Sequence, residues 1–433
     1  MTNASPIADT PRAADSEADA LAAFSRDVVA FLSANAPLRP KHEALWGEGV
    51  DRVFIFPERD PREEQADLAL ARTWRARVFD AGFGWLTGPV DAGGAGLAEI
   101  YQHAYRELEA EYDVPPEAWF TISCHIIAPT IQAYGTDAVK AAYLRRIHRG
   151  EMIACQLLSE PAAGSDLAGV QTTAVRDGDE WVVTGQKVWT SGAQYADLGE
   201  LICRTDLTVP KHQGMSAFVV DMHAPGVTVR PLRQMSGGAS FNEVFLDGVR
   251  VRDDHRLGAE GDGWSVALKT LMTERAAFAE GSSGMEVNVD RVIELFRRHR
   301  PDDIVVRDRL IDLWVRSRLG ELTNRRLFGS LQPGQPPGPE MSIGKLLATD
   351  TLTRASDVVS RILGPALVAD IGEWGTFAWS EFVLSTPGAR IASGSDEIQR
   401  TILGERILGL PREPSVTATV NGTNTSNGRR AQP

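Results

Sequence analysis

The chain has 433 residues, 43% hydrophobic and 24% charged, a balance that lets a globular protein bury more than one core. Its net charge of −13 argues against nucleic acid and anionic membrane surfaces as general partners, and no apolar run approaches the roughly 20 residues of a membrane span. Cys124, Cys155 and Cys203 are widely spaced and form no CxxC pair, which points to reduced thiols in a cytosolic protein and to no metal site.

Residues 1–19 are rich in Ala, Ser, Asp and Pro, and no basic start precedes an apolar block, so they read as a disordered extension and not as a secretory signal. From residue 20 to 151 the apolar spacing is helical. Leu21, Phe24, Val28, Val29, Phe31 and Leu32 share one face, and further helices are expected over Ala66–Phe83, Ala98–Tyr112, Pro116–Tyr134 and Asp137–Arg149. Between residues 152 and 260 the period changes to two. Short strands are expected at Thr172–Arg176, Trp181–Thr184, Glu200–Arg204, Met215–Asp221, Val227–Arg230 and Asn242–Asp247, joined by Gly, Asp and Pro turns into an antiparallel β domain. Helical periodicity returns over 261–411, broken by the Pro/Gly-rich loop at 332–339, and the polar tail 412–433 reads as disordered. The predicted fold class is thus α+β, in the order α, β, α, and no βαβ unit with a Gly-rich first turn appears.

Two neighbouring segments concentrate the chemistry: Leu157-Leu158-Ser159-Glu160-Pro161-Ala162-Ala163-Gly164-Ser165-Asp166, then Gly185-Gln186-Lys187-Val188-Trp189-Thr190-Ser191. Hydroxyls of Ser159, Ser165, Thr190 and Ser191 are expected on loops beside small residues that admit a bulky ligand, and Trp189 offers an aromatic face. Either segment alone is also ordinary turn chemistry; together they suit a flat, polar-edged cofactor.

These segments resemble the flavin-binding core of the acyl-CoA dehydrogenases. The resemblance extends from Phe24 to Arg412 through Ala92-Gly93-Gly94-Ala95-Gly96, Gly261-Asp262-Gly263-Trp264, Thr273-Glu274-Arg275 and Ser393-Gly394-Ser395-Asp396-Glu397-Ile398-Gln399-Arg400. It implies an N-terminal helical domain, a middle β domain and a C-terminal four-helix bundle that enclose FAD and an acyl-CoA thioester. It further implies a homodimer or homotetramer, because the adenosine end of FAD lies against a second subunit in that family. By the resemblance Gln156, Leu158, Ser159, Gly164 and Ser165 wrap the flavin ring, with Ser165 also facing the CoA pyrophosphate. Trp189, Thr190 and Ser191 lie along the flavin, Ser395 and Glu397 meet the FAD ribose and adenine, and Gly364 belongs to the turn that supports the dinucleotide. The arginine of the family's Arg-x-x-Phe-Gly segment falls at or near Arg300, with Arg298 or Arg307 as alternative sources of the charge, but the residues after Arg300 are Pro301-Asp302-Asp303-Ile304, without the Phe-Gly.

The resemblance also implies α,β-desaturation, which needs a carboxylate beside the α carbon. Many members place it where this chain has Ser393; others, including isovaleryl-CoA and long-chain dehydrogenases, place it directly before the arginine, where this chain has Glu274. Glu274 is therefore the expected base, Arg275 an orienting group for substrate, and the Ser393-Gly394 backbone a donor to the thioester oxygen. An electron-transfer flavoprotein or similar acceptor is the implied partner, and an acyl-carrier thioester is the alternative substrate. A flavin oxidase or monooxygenase and a non-catalytic subunit of a heteromeric dehydrogenase are the rival readings. His125 is expected to pack in the core; by the resemblance Trp119 and Phe120 lie on the helix that closes the acyl-tail pocket, where their bulk suits a short, branched or cyclic acyl group, and both are equally ordinary core residues.

Overall fold

The computed structural model describes residues 13–40, 46–48, 51–53, 55, 60–279, 287–330 and 338–412. Most of the expected tails, and most of the Pro/Gly-rich loop, lie outside the described residues. The first helix, α1 (Ala13–Asn35), begins inside the stretch expected to be disordered, because its alanines favour helix regardless of their polar company. Helices α2 (Pro61–Asp80), α3 (Glu99–Glu109), α4 (Ala128–Tyr134) and α5 (Asp137–His148) come next. Pro61 opens α2 where its missing N–H costs nothing, and the Asp60 carboxylate caps the Arg62 N–H. Val28, Leu32, Trp74, Val78, Leu86, Tyr105 and Tyr112 form the core between these helices.

The single helix expected from Pro116 to Tyr134 is divided. A 3-10 turn at Glu117–Phe120 leads into a π-helical turn at Thr121–Ile127 and then into α4. Pro129 has no N–H to return to the His125 carbonyl, which loosens the ladder at this point. The widened turn carries Ser123 to the sheet, where its hydroxyl accepts from the Ala154 N–H at 2.8 Å.

Among the described residues eight strands form one sheet: β1 (Ala154–Leu157), β2 (Thr173–Asp177), β3 (Glu180–Ser191), β4 (Leu198–Arg204), β5 (Met215–Asp221), β6 (Val227–Leu232), β7 (Phe241–Arg252) and β8 (Arg256–Leu257). The order is β6-β7-β3-β2-β4-β5-β8, with β1 on β4. Most pairings are antiparallel as expected; β1 with β4, and β2 with β4 at Thr173 and Arg204, run parallel. β3 and β7 are far longer than expected because polar residues such as Gln186 and Lys187 continue them past the apolar alternation. Thr190 and Ser191 therefore end a strand and do not lie on a loop.

The C-terminal region holds α6 (Gly263–Ala279), α7 (Val289–His299), α8 (Ile304–Gly329), α9 (Ser342–Leu363), α10 (Trp379–Ile391) and α11 (Asp396–Ile402). Four of them, α7, α8, α9 and α10, pack on one another as the expected bundle, while α6 and α11 flank it. Val292, Leu295, Leu313, Leu352, Val359, Trp379 and Phe382 form their core. Asp303 caps α8 by accepting from the Val305 and Val306 N–H groups, so the segment standing in place of Phe-Gly serves as a helix start. Val266 and Ala267 of α6 instead pack into the core shared by the sheet and the N-terminal helices. That attachment places Glu274 between the domains.

Candidate active site

The loop after β1 is held from beneath by a buried ion pair. Lys187, wholly buried on β3, donates to Glu160 Oε1 at 2.8 Å and to the carbonyls of Leu158 and Ile202 at 3.0 and 2.7 Å. Glu160 also accepts from the Gln171 and Thr172 N–H groups at 2.6 and 2.9 Å. Burial opposes the charge on this carboxylate, but Lys187 and the donors around it hold it below its ordinary range. Every Lys187 proton is thereby engaged, and the Ser159 to Ser165 loop cannot shift without stranding a charge. Ser159 is half-buried, with its carbonyl accepting from the Val188 N–H at 2.9 Å, while Gly164 and Ser165 are exposed.

Trp189 lies where the β3–β7 register shifts, at φ 61°, and is 59% exposed. A bulky residue with positive φ costs energy and marks a functional bend. Next to it Thr190 is buried, and its Oγ1 has no hydrogen-bond partner among the described residues. An exposed indole beside an unsatisfied buried hydroxyl suits a flat ligand with polar edges, which is the fit a flavin requires.

Glu274 stands half-buried on α6, held through both oxygens. Ser393 Oγ donates to Oε1 at 2.5 Å, and Gln156 Nε2 donates to Oε2 at 3.3 Å. Gln156 lies on strand β1 and not on the loop expected to wrap the flavin, so β1, α6 and the turn before α11 meet at one carboxylate. Ser393 itself has φ 55°, the only described non-glycine residue besides Trp189 in that region, and Gln399 Nε2 pins the turn by donating to the Ser393 and Gly394 carbonyls at 2.9 and 3.3 Å. Gly394 holds φ 78°, which a residue with a side chain rarely adopts, and a Cβ there would lie 2.7 Å from Gln399 Nε2 and displace the amide that pins the turn. The Nε–H of Arg275 is buried without a partner among the described residues, and burial lowers this guanidinium against the pull of Glu274.

Two supports here escape sequence reading. Glu200, fully buried on β4, accepts from Thr270 Oγ1 at 2.5 Å and is pushed up to about 8 by burial, with Thr270 opposing and Glu274 adding to the shift. Its Cα partner on β1 is Gln156, so this neutral acid underlies the Glu274 contact. Asp396, also buried, accepts from Lys345 Nζ, Thr349 Oγ1 and Arg390 Nε at 2.8, 2.9 and 3.0 Å and fixes α11 to the bundle. Only a buried polar residue inside an apolar strand or helix pattern signals either in the sequence.

The remaining expected residues fall into two groups. Ser395 caps α11 and Glu397 is exposed on its first turn, near the N-terminal end of α9 where Lys345 meets Asp396. Arg300, exposed at the end of α7, donates from Nε to the Ile362 carbonyl at 3.2 Å, beside Gly364 at the C-terminal end of α9. Lys345 and Gly364 are nineteen residues apart, about 28 Å at 1.5 Å per helical residue, so one chain keeps the two groups far apart. His125 lines a cavity instead of packing in the core as expected, and burial lowers it to about 4. Phe120 is buried in the core, and Trp119 packs edge-on against Tyr195 at 5.5 Å.

The chain matches the N-terminal domain of the acyl-CoA dehydrogenases over residues 52–151, their middle domain over 155–249 and their C-terminal domain over 261–408. It is 36% identical over 359 residues to acyl-CoA dehydrogenase IpdE1 of Mycobacterium tuberculosis, covering 82% of this chain and 91% of the relative. Acyl-CoA dehydrogenase FadE26 of the same organism is 33% identical, with 80% of this chain and 90% of the relative covered. Among solved structures, the Tcur3481-Tcur3483 steroid ACAD superposes with a TM-score of 0.70 at 25% identity, over 91% of this chain and 98% of that one. A chain of the ChsE4-ChsE5 complex from Mycobacterium tuberculosis gives a TM-score of 0.65 at 27% identity, over 94% of this chain and 100% of that one.

Proposed function

The chain belongs to the acyl-CoA dehydrogenase family, and from that premise we propose that Glu274 is the base that removes the α proton of an acyl-CoA thioester. Members of the family are FAD-dependent oxidoreductases acting on a CH–CH bond. The observation that carries the reading is the double hold on Glu274, by Ser393 on one oxygen and Gln156 on the other. A carboxylate oriented on both sides keeps one lone pair aimed at a substrate carbon, and Ser393, which stands at the family's other base position, supports the base from there. When bound, FAD supplies the acceptor for the β hydride. Trp189, Thr190, Ser159 and the backbone around Gly164 would hold its ring system, with Gln156, Leu158, Ser165 and Ser191 flanking it. The Ser393-Gly394 turn, pinned by Gln399, presents backbone toward the developing enolate oxygen, and Arg275 supplies a donor for the thioester end.

Arg300 and Gly364 at one end of α9, and Ser395 and Glu397 at the other, would serve one FAD across two chains. The exposed apolar stripe Ile311, Val315, Leu319 and Leu322 on α8 supports such an assembly, since a face of this kind is covered in a stable protein. A second reading makes the neighbour a related chain and not a copy. Asp303 replaces Phe-Gly with a helix cap here, so a partner that retains the motif would complete the FAD site. The experiment is anaerobic stopped-flow flavin reduction by acyl-CoAs, with bound FAD per chain measured on the isolated protein. Reduction that Glu274→Gln abolishes supports the reading. Undiminished reduction in that variant refutes the base, and one FAD per chain in a pure homomer refutes the heteromeric alternative.

A further inference from the structure

A cavity of about 330 Å³ enters the N-terminal helical domain beside Thr273, the residue that precedes Glu274. An aliphatic acyl chain calls for apolar walls. Beside the apolar Val78, Phe83, Trp85 and Pro129, these walls also carry Arg75, Tyr105, Glu109, Glu117 and His125. Arg75 is 6% exposed, donates from one terminal nitrogen to Glu117 at 2.6 Å and from the other to the Gly84 carbonyl at 3.4 Å, and lies over the Phe120 ring at 5.4 Å. Its Nε–H has no partner among the described residues. A guanidinium donor buried and unanswered in a cavity wall costs stability unless something that enters the cavity accepts from it.

Resting on the acyl-CoA reading above, we propose that the far part of the acyl group bears an uncharged oxygen, a ketone or hydroxyl, that accepts a hydrogen bond from Arg75 Nε–H. The charge around the site favours an uncharged acceptor. The acids Glu99, Glu109 and Glu117 outnumber Arg75 and Arg106 on these walls; Glu117 already balances Arg75, and Glu109, bonded to the Tyr105 hydroxyl at 2.9 Å, is held near 7 by burial and by Glu117, so a carboxylate on the ligand would add a further acid to an acidic wall. His125 is neutral at physiological pH and adds an uncharged donor or acceptor on the same wall. The substrate class is thus an oxygenated acyl thioester, and Arg75 is a specificity residue for it.

The test is calorimetric binding to the FAD-loaded protein in its native assembly. Hexanoyl-, octanoyl- and decanoyl-CoA are compared with their 5-oxo, 7-oxo and 9-oxo counterparts and with the dicarboxylic acyl-CoAs of the same lengths. The oxo compound of the best-fitting length should bind about tenfold more tightly than its parent, the worth of one buried hydrogen bond. Arg75→Lys, which keeps the charge but removes Nε–H, should erase that difference. Equal binding of parent and oxo compounds at every length overturns the proposal, as does tightest binding of a dicarboxylic member. If Arg75→Lys does not fold, the ligand series on the unaltered protein decides alone. Failure of every CoA thioester to bind removes the acyl-CoA reading itself and this inference with it, an outcome distinct from parents that bind as well as their oxo counterparts.

Discussion

The Ser393 hydroxyl donates to the Glu274 carboxylate across 2.5 Å, from a backbone position at φ 55°. The residue at one family base position thus orients the residue at the other. Ser393→Gly separates the two properties, since glycine takes positive φ without strain but brings no hydroxyl. Thermal stability should stay level or rise by roughly 1 kcal/mol, while flavin reduction by substrate slows about tenfold as the carboxylate loses its guide. A variant as fast as the parent would leave the hydroxyl no part in orientation.

Glu274→Gln preserves shape and removes the carboxylate proposed as the base. Flavin reduction should slow by about two to four orders of magnitude, the span of general-base loss, with bound FAD retained. Stopped-flow absorbance under anaerobic conditions reads both quantities.

Lys187→Met should strand the Glu160 carboxylate in the interior. Breaking a buried pair from one side costs about 3–5 kcal/mol, enough for a clear drop in the denaturation midpoint and loss of the flavin loop's shape. A midpoint shift below roughly 1 kcal/mol would place the pair outside the protein's essential supports.

Trp189→Ala removes a side chain that is 59% exposed, so the flavin-free protein should change by no more than about 0.5 kcal/mol. Bound FAD should nevertheless fall, with an altered flavin absorption spectrum. Full occupancy with an unchanged spectrum would put the indole elsewhere.

Glu200 is pushed up to about 8 in the fold from an ordinary 4.5. Between those values the folded chain keeps a proton that the unfolded chain has lost, so this group's contribution is full below about 4.5 and is lost as pH rises toward 8. Glu200→Gln retains an acceptor for Thr270 and cannot titrate. Its melting temperature relative to the parent should therefore climb steadily from pH 5 to pH 8 in calorimetric scans; a constant difference would mean that Glu200 is ionised throughout.

The chemistry legible in the sequence was concentrated in short runs. Ser159, Trp189, Thr190 and Glu274 stand in segments where several distinctive residue types recur within a dozen positions, and period-two and helical spacing separated sheet from helices. Strand ends are not legible where Lys187 is buried, because alternation cannot register a polar residue whose partners come from Leu158, Glu160 and Ile202. The start of α1 is hidden because its local composition is that of a solvated tail. Arg75, Glu109, Glu117 and His125 gather from separate helical segments, and Glu200 sits within an otherwise apolar strand; such juxtapositions exist only after packing.

The length of α9 carries a consequence for genetics as well as for chemistry. With Arg300 and Gly364 at one end and Ser395 and Glu397 at the other, a cofactor gripped by both groups is common property of two chains. Two variants that each fail alone, one altered at Arg300 and one at Ser395, should complement when co-expressed, because a mixed pair regains one intact site from the two undamaged ends while its second site bears both defects. Retention of the cofactor would likewise depend on protein concentration, weakening on dilution as the chains part.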